Sequence, residues 1–274
     1  MTIAISFLYF FSFTLVITFN SCAEKPQIKN QVDGLSEKER EAIIQQYVYD
    51  CADTYNYNYP EYHLCLDSGI ALDSTIAYLW QQKAMPYFKQ MKYATGMKYL
   101  DKAVKYDEKR WLSYRGFIKC IFQKDYEGAI VDFEKCVKDY GNSFEMDHTY
   151  NFYIAVSLLQ LNRFEKAEQM LKMELDSAVN LFGPGSEHHL DLFYYGISKY
   201  EQQKWKEAIS VFDRALSIYP QFSDVEHYKG LSMYRIGNRV EGAKFLKQSK
   251  EHKKLGYTIN EDNSAYERYP YQLY

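Results

Sequence analysis

Residues 189–222, HLDLFYYGISKYEQQKWKEAISVFDRALSIYPQF, read as two amphipathic helices joined by a short turn. Leu192, Tyr195, Gly196 and Tyr200 recur at intervals of three and four, which sets them on one helix face. Ala208, Phe212 and Ala215 do the same in a second segment. Pro220 then closes the unit, because proline cannot continue a helix. Small residues alternating with large ones along a face let two helices approach closely.

The same pattern recurs on both sides. Small, large and small residues at i, i+4 and i+7 occur as Gly96/Leu100/Ala103, Ala129/Phe133/Cys136, Ala208/Phe212/Ala215 and Gly242/Leu246/Ser249. Ala167/Leu171/Glu174 is a worn copy. Counted from Gly69 in an initial, weaker pair, the last members lie 34, 33, 38, 41 and 34 residues apart. A beat of this length marks stacked supersecondary units, each burying its apolar face on the next.

These residues together resemble the tetratricopeptide repeat. The resemblance implies an all-α fold, a right-handed α-solenoid of about five to six helix-turn-helix units with a C-terminal aromatic capping tail. The units fall at about 37–74, 77–109, 110–142, 148–182, 189–222 and 223–256, with the tail at 257–274. Ser36 followed by Glu39 has capping-box spacing and opens the first unit. Four irregularities carry expectations. Pro86 inside a helix predicts a kink. Glu174, standing where a small residue belongs, predicts loose packing or a solvent-directed carboxylate. Tyr114-Arg115-Gly116 fits only if the third unit's first helix or its turn is one residue longer than its counterparts. The insertion 175–188, with Gly183-Pro184-Gly185, lengthens the second helix of the fourth unit before a turn.

Composition agrees with a packed helical chain. Hydrophobic residues make up 47% and charged ones 25%, which excludes a disordered polyelectrolyte. The 28 tyrosines suit half-buried faces of thin helical layers, where a ring packs and a hydroxyl stays polar. A net charge of −3 gives no electrostatic case for nucleic acid.

Ile3 to Phe19 is an almost uncharged apolar run followed by Asn20-Ser21-Cys22, and reads as a secretory signal over 1–21. Ser21-Cys22 resembles the end of a bacterial lipoprotein signal, which implies lipidation at Cys22, although no Lys or Arg precedes the run and Phe19 stands where that family usually has Leu. Simple cleavage and retention as a membrane anchor are the alternatives, since the run is just long enough to span a bilayer. All three put the rest of the chain outside the cytoplasm, and lipidation makes it a membrane-anchored envelope protein with a flexible tether over 22–36. Export permits disulfides. Cys51 and Cys65 fall at nearly matching heights on neighbouring helices and are within bridging reach, whereas Cys120 and Cys136 are out of step.

In the resembled family, ligands lie in a groove lined by the first helices. Carried over residue by residue, the second unit offers Tyr78, Gln81, Met85 and Phe88 with Lys89. The fourth offers Phe152, Val156 and Leu159 with Thr149 and Gln160. The fifth offers Phe193, Ile197 and Tyr200 with Leu190 and Glu201, and the sixth His227, Leu231 and Tyr234 with Asp224 and Arg235. The carboxylate clamp of chaperone-tail binders is absent, since Gln81, Phe152, Phe193 and His227 hold its positions. The groove therefore suits an apolar peptide or helix. Packing against neighbouring units or a folded-back tail is the plain alternative. The tail itself reads as a cap, or else as a strap in the groove or a peptide for another protein.

No catalytic motif stands out, so the expected function is a non-enzymatic scaffold for an unidentified protein or peptide. Glycan-binding and outer-membrane-assembly lipoproteins are the other readings. No cofactor and no metal is expected. His188 and His189 on a helix would point about 100° apart, and His63 with Cys65 and Cys51 lacks a fourth ligand. Lys244, Lys247, Lys250 and Lys254 form one basic face, read as solvated.

Overall fold

A capping box opens the first helix. The Ser36 amide donates to Glu39 Oε2 at 2.8 Å and the Glu39 amide donates to Ser36 Oγ at 3.4 Å, which satisfies two amides at the start of α1 (Glu37–Ile44). The computed structural model describes residues 34–273; the signal at 1–21, Cys22 and most of the tether lie outside them. Eleven further α-helices follow: α2 (Pro60–Leu72), α3 (Ala77–Lys89), α4 (Tyr93–Tyr106), α5 (Glu108–Phe117), α6 (Tyr126–Tyr140), α7 (Tyr150–Gln160), α8 (Phe164–Phe182), α9 (His189–Glu201), α10 (Trp205–Ile218), α11 (Ser223–Arg235) and α12 (Arg239–Lys254). They pack in consecutive pairs, and first helices of neighbouring units also meet, α7 with α9 and α9 with α11. A two-strand hairpin, β1 (Phe144–Glu145) with β2 (His148–Thr149), precedes α7.

The small–large pattern is the packing rule of these pairs. A Cβ built on Gly196 would stand 2.3 Å from the Phe212 ring, and one on Gly96 2.5 Å from the Phe88 ring. Phe88, Phe133 and Phe212 are wholly buried, as are Leu100, Ala129, Ala208 and Ala215. Cys136 fills its small-residue position, and both it and Cys120 are free and buried. Burying each such ring contributes about 1.5–3 kcal/mol.

The turns inside the pairs repeat as well. Met91, Lys124, Asn162, Gln203 and Gly237 all take positive φ just before the second helix. The bond closing each turn joins Lys92 to Tyr87, Arg163 to Leu158, Lys204 to Lys199 and Asn238 to Met233, a span of five residues. In the third unit it joins Asp125 to Lys119, a span of six. The extra residue is absorbed by a π-helical turn, Ile118–Gln123, continuing α5. This accounts for the longer first helix anticipated there.

Helix α3 runs through Pro86 to Lys89. Proline leaves the carbonyl four residues back without its helical partner. That carbonyl belongs to Gln82, and the buried Tyr62 hydroxyl donates to it at 3.4 Å and to Gln82 Oε1 at 3.2 Å. The expectation for Glu174 requires correction. Its half-buried carboxylate does not project freely but accepts bonds from Asn142, Thr149 and Asn151, stitching the hairpin region to α8.

Cys51 and Cys65 are joined by a disulfide. It borders a small separate core of Ile43, Val48, Ala52, Tyr62, Leu66, Ile76 and Leu79. The main core runs from Ala77 to the tail residues Ile259 and Tyr269. Cations of four first helices tie their units to the second helix before them: Lys83 to Asp67, Arg115 to Asp101, Lys199 to Glu168 and Lys229 to Asp213.

Candidate binding face

Past Lys254 the helical pattern ends at Gly256, whose φ of +86° suits glycine. The chain then turns back along the first-helix face. Ser223, at the start of α11, donates its amide to Tyr257 O at 2.8 Å. The next residue, Asp224, is fully buried and its carboxylate accepts from Thr258 Oγ1 at 2.6 Å, Ile259 N at 3.0 Å and Leu273 N at 2.7 Å. One side chain thus gathers both ends of the tail. Burial pushes the Asp224 carboxyl above its usual range, and the three donors only partly offset it.

Between those ends the tail crosses several units. Glu261 Oε1 lies 3.2 Å from His148 Nε2. The Tyr266 ring sits 5.1 Å from Lys89 Nζ, a cation–π contact at the end of α3. Lys124 Nζ donates to Arg268 O at 2.6 Å, and the Tyr194 hydroxyl donates to Pro270 O at 2.9 Å. The Tyr271 ring meets Tyr228 edge-on. Gln272 closes the loop internally, accepting from Tyr269 N and donating to Ile259 O. Ile259 and Tyr269 are both about 2% exposed. The aromatic tail therefore covers the face rather than standing free. Beside it a cleft of about 780 Å³ remains, bounded by Met91, Lys124, Tyr126, Gln160 and Tyr228.

This arrangement corrects the expected groove. Phe88, Phe152, Val156, Leu159, Phe193 and Ile197 are buried and not available to a ligand. Phe88 packs on Gly96, Phe152 against Tyr153 and Tyr194, and Phe193 against Phe222 and Tyr228. At these positions the first helices pack on neighbouring elements, so the large rings are consumed in the core. Tyr200 is half-buried against Trp205 and Tyr228; His227 and Leu231 are also half-buried, and Tyr234 is 40% exposed. Tyr78 stacks on Trp111. Gln81 and Met85 border an open hollow of about 340 Å³ with Tyr55, Tyr57 and Tyr62. The contacts to the tail come instead from Tyr194, Lys124 and His148, which the repeat positions do not select, and from Lys89 and Asp224, which they do.

A second group converges where the hairpin meets α9. His148, His188 and Asp191 present ligand-type atoms all within 4.8 Å of one another. His188 is not on the helix but caps it, its Nδ1 accepting from Leu190 N at 3.4 Å. Its ring, crowded by others though open at one edge, has a pKa held down to about 4 by loss of hydration and then by the imidazoles of His189 and His148. Burial pushes Asp191 up to about 6. Burial also opposes the charge on Glu261, but His148 and the neighbouring imidazoles outweigh it and lower its pKa. His63 stands apart from this group, among Tyr62 and Tyr87. On α12, Lys244 and Lys247 face Glu241 and Glu251.

Residues 192–221 match the family model described as "Tetratricopeptide repeat". Among solved structures, the fold is similar to PilW, described as a widely conserved type IV pilus biogenesis factor. That likeness has a TM-score of 0.61 at 13% identity, covering 82% of this chain and 97% of PilW. Pseudomonas aeruginosa pilF follows at a TM-score of 0.57 and 16% identity, with 80% and 95% covered. MamA from Desulfovibrio magneticus RS-1 gives 0.55 at 15% identity, with 65% and 96% covered. No curated protein matches the sequence. The fold is a tetratricopeptide-like array of helix pairs.

Proposed function

We propose that this chain is a non-enzymatic scaffold of the cell envelope that holds an extended, aromatic-rich protein segment on its first-helix face. Its own C-terminal tail is the resident occupant. The observation that carries this reading is how the tail is held. Lys124 and Tyr194 donate to main-chain carbonyls and Asp224 accepts main-chain amides. Contacts of that kind grip any extended backbone, while rings such as Tyr228 set a preference for aromatic side chains. A partner segment would displace the tail or lie beside it in the cleft at Tyr126 and Gln160.

Attachment to a membrane rests on Ser21-Cys22 and the apolar run before it. Among the described residues no helix is long and apolar enough to cross a membrane. Lipidation at Cys22 would leave the array tethered outside the cytoplasm, and labelled palmitate entering the wild-type chain but not Cys22→Ser would establish it.

The scaffold reading is tested by a photoreactive residue placed at Gln160 and activated in intact cells. The expected product is an adduct with another envelope polypeptide, more abundant when Asp224→Asn loosens the tail. Adducts confined to the chain's own tail in both forms would remove the scaffold reading.

A further inference from the structure

At the edge of the tail-binding face, one cluster among the described residues has the composition of a metal site. His148 belongs to β2, His188 caps α9, and Asp191 lies in the first turn of α9. The pairing of His188 with Asp191 follows from local geometry. The side chains of the capping residue and the third helical residue meet across the helix start, as in a capping box. The hairpin brings in His148, 40 residues before His188. Its ring is buried and held by stacking on Phe152 at 4.0 Å between centroids. Asp191 is half-buried and His188 exposed. A fixed ligand at the floor, with an open one at the rim, gives an ion a way in.

The distances fit a contracted coordination shell. Tetrahedral zinc with bonds of about 2.0–2.1 Å sets its ligand atoms about 3.3–3.5 Å apart. The three donors are already within 4.8 Å of one another, so no separation need shrink by more than about 1.5 Å. Rotation of the exposed His188 ring supplies that movement for its own two separations, because its long bond from Leu190 N can lapse. Glu261 Oε1, 3.2 Å from His148 Nε2, adds a carboxylate from the tail. It serves either as the partner orienting His148 or as a fourth ligand, and in both roles it joins the tail to the ion.

We propose that His148, His188 and Asp191 bind a divalent first-row transition cation, zinc foremost, and that Glu261 couples this ion to the C-terminal tail. Two imidazoles beside a carboxylate favour such a cation over magnesium or calcium, which take oxygen ligands. The bound ion would clasp the hairpin, the start of α9 and the tail, which otherwise meet only through side chains and main-chain bonds. The inference concerns how the tail is attached and stands whether or not the face takes a second polypeptide.

The test uses the full chain, stripped with a chelator and titrated with zinc against a chromogenic competitor at neutral pH. One zinc per chain is expected, undisturbed by excess magnesium. Affinity should fall at least tenfold in His188→Gln and in Asp191→Asn, and about tenfold in Glu261→Gln. Hydrogen exchange in 258–273 should slow on zinc addition in the wild type and not in His188→Gln. His188 is exposed, so its variant keeps the fold and decides the matter even where His148→Ala perturbs packing. Absence of stoichiometric zinc binding in the wild type, or binding unchanged in a His188→Gln/Asp191→Asn double variant, would overturn the site. Binding that leaves exchange in 258–273 unaltered would overturn the coupling to the tail.

Discussion

The Tyr194 hydroxyl donates to the carbonyl oxygen of Pro270, 2.9 Å away across 76 positions of sequence. Tyr194 is fully buried at the middle of α9, and Pro270 is buried above it. A helix of the fifth unit is thereby closed over by the end of the chain. This single bond expresses the relation between array and tail: the array supplies buried polar tips, and the tail supplies the main-chain groups that satisfy them.

Removing that tip leaves a buried carbonyl without its donor. Tyr194→Phe should cost about 1–3 kcal/mol of stability by this route. Hydrogen exchange should show it first as faster exchange in 258–273, with α3–α6 unchanged. Asp224→Asn should act more broadly, because the same carboxylate holds Thr258, Ile259 and Leu273. Uniform acceleration along all helices in both variants would show that tail and array do not separate.

Tyr62 and Pro86 form a coupled pair through the Gln82 carbonyl. Tyr62→Phe removes the donor that stands in for the amide proline lacks, at a cost of about 0.5–1.5 kcal/mol. In a Pro86→Ala background the alanine amide can take the same carbonyl, so the second loss should be smaller. A double-mutant cycle by chemical denaturation reads the difference directly. Additive losses would deny the substitution of one donor for the other.

Gly196 carries the tightest contact of the best-formed unit. A methyl there meets Phe212 at 2.3 Å within a close-packed core. Gly196→Ala should destabilise by about 1–3 kcal/mol despite alanine's better helix propensity. Phe212→Leu in the same chain should recover part of the loss. A stabilised Gly196→Ala variant would mean the helices separate freely at that point.

Glu168 accepts from Lys199, Gln202 and Lys204, joining α8 to α9 and its turn. Burial raises its pKa, but these three donors outweigh it and bring the carboxyl from an ordinary 4.5 to about 2. The folded state therefore binds its proton less readily than the unfolded chain. The resulting stability is present above about pH 4.5 and is lost as pH falls toward 2. Glu168→Gln should flatten the acid side of the stability profile over that window and leave a smaller effect of added salt. An unchanged acid limb would show the network to be solvent-screened.

Much of the fold was legible from residues alone, because helix-pair packing is local. Gly196 with Phe212, the capping box at Ser36 and Glu39, and the 34-residue beat all depend on intervals within one unit. Even the extra residue of the third unit was visible as a mismatch at Tyr114-Arg115-Gly116, although its form, a π-helical turn, was not. Local intervals cannot say which face a long-range segment covers. Phe193 and Ile197 occupy ligand positions by count but are buried by neighbouring elements, and Glu174 finds Asn142 and Asn151 only once the hairpin is formed.

The sequence by itself determined the repeating helix pairs and their small-residue contacts, since each rests on residues a few positions apart. Only the tertiary structure decided where the aromatic tail lies and what it meets. It also decided that His188 leaves its helix as a cap, where it meets Asp191 three residues on and His148 forty residues back. Those juxtapositions come from the stacking of units and the return of the chain past Gly256, and side chains brought together in that way share no interval in sequence.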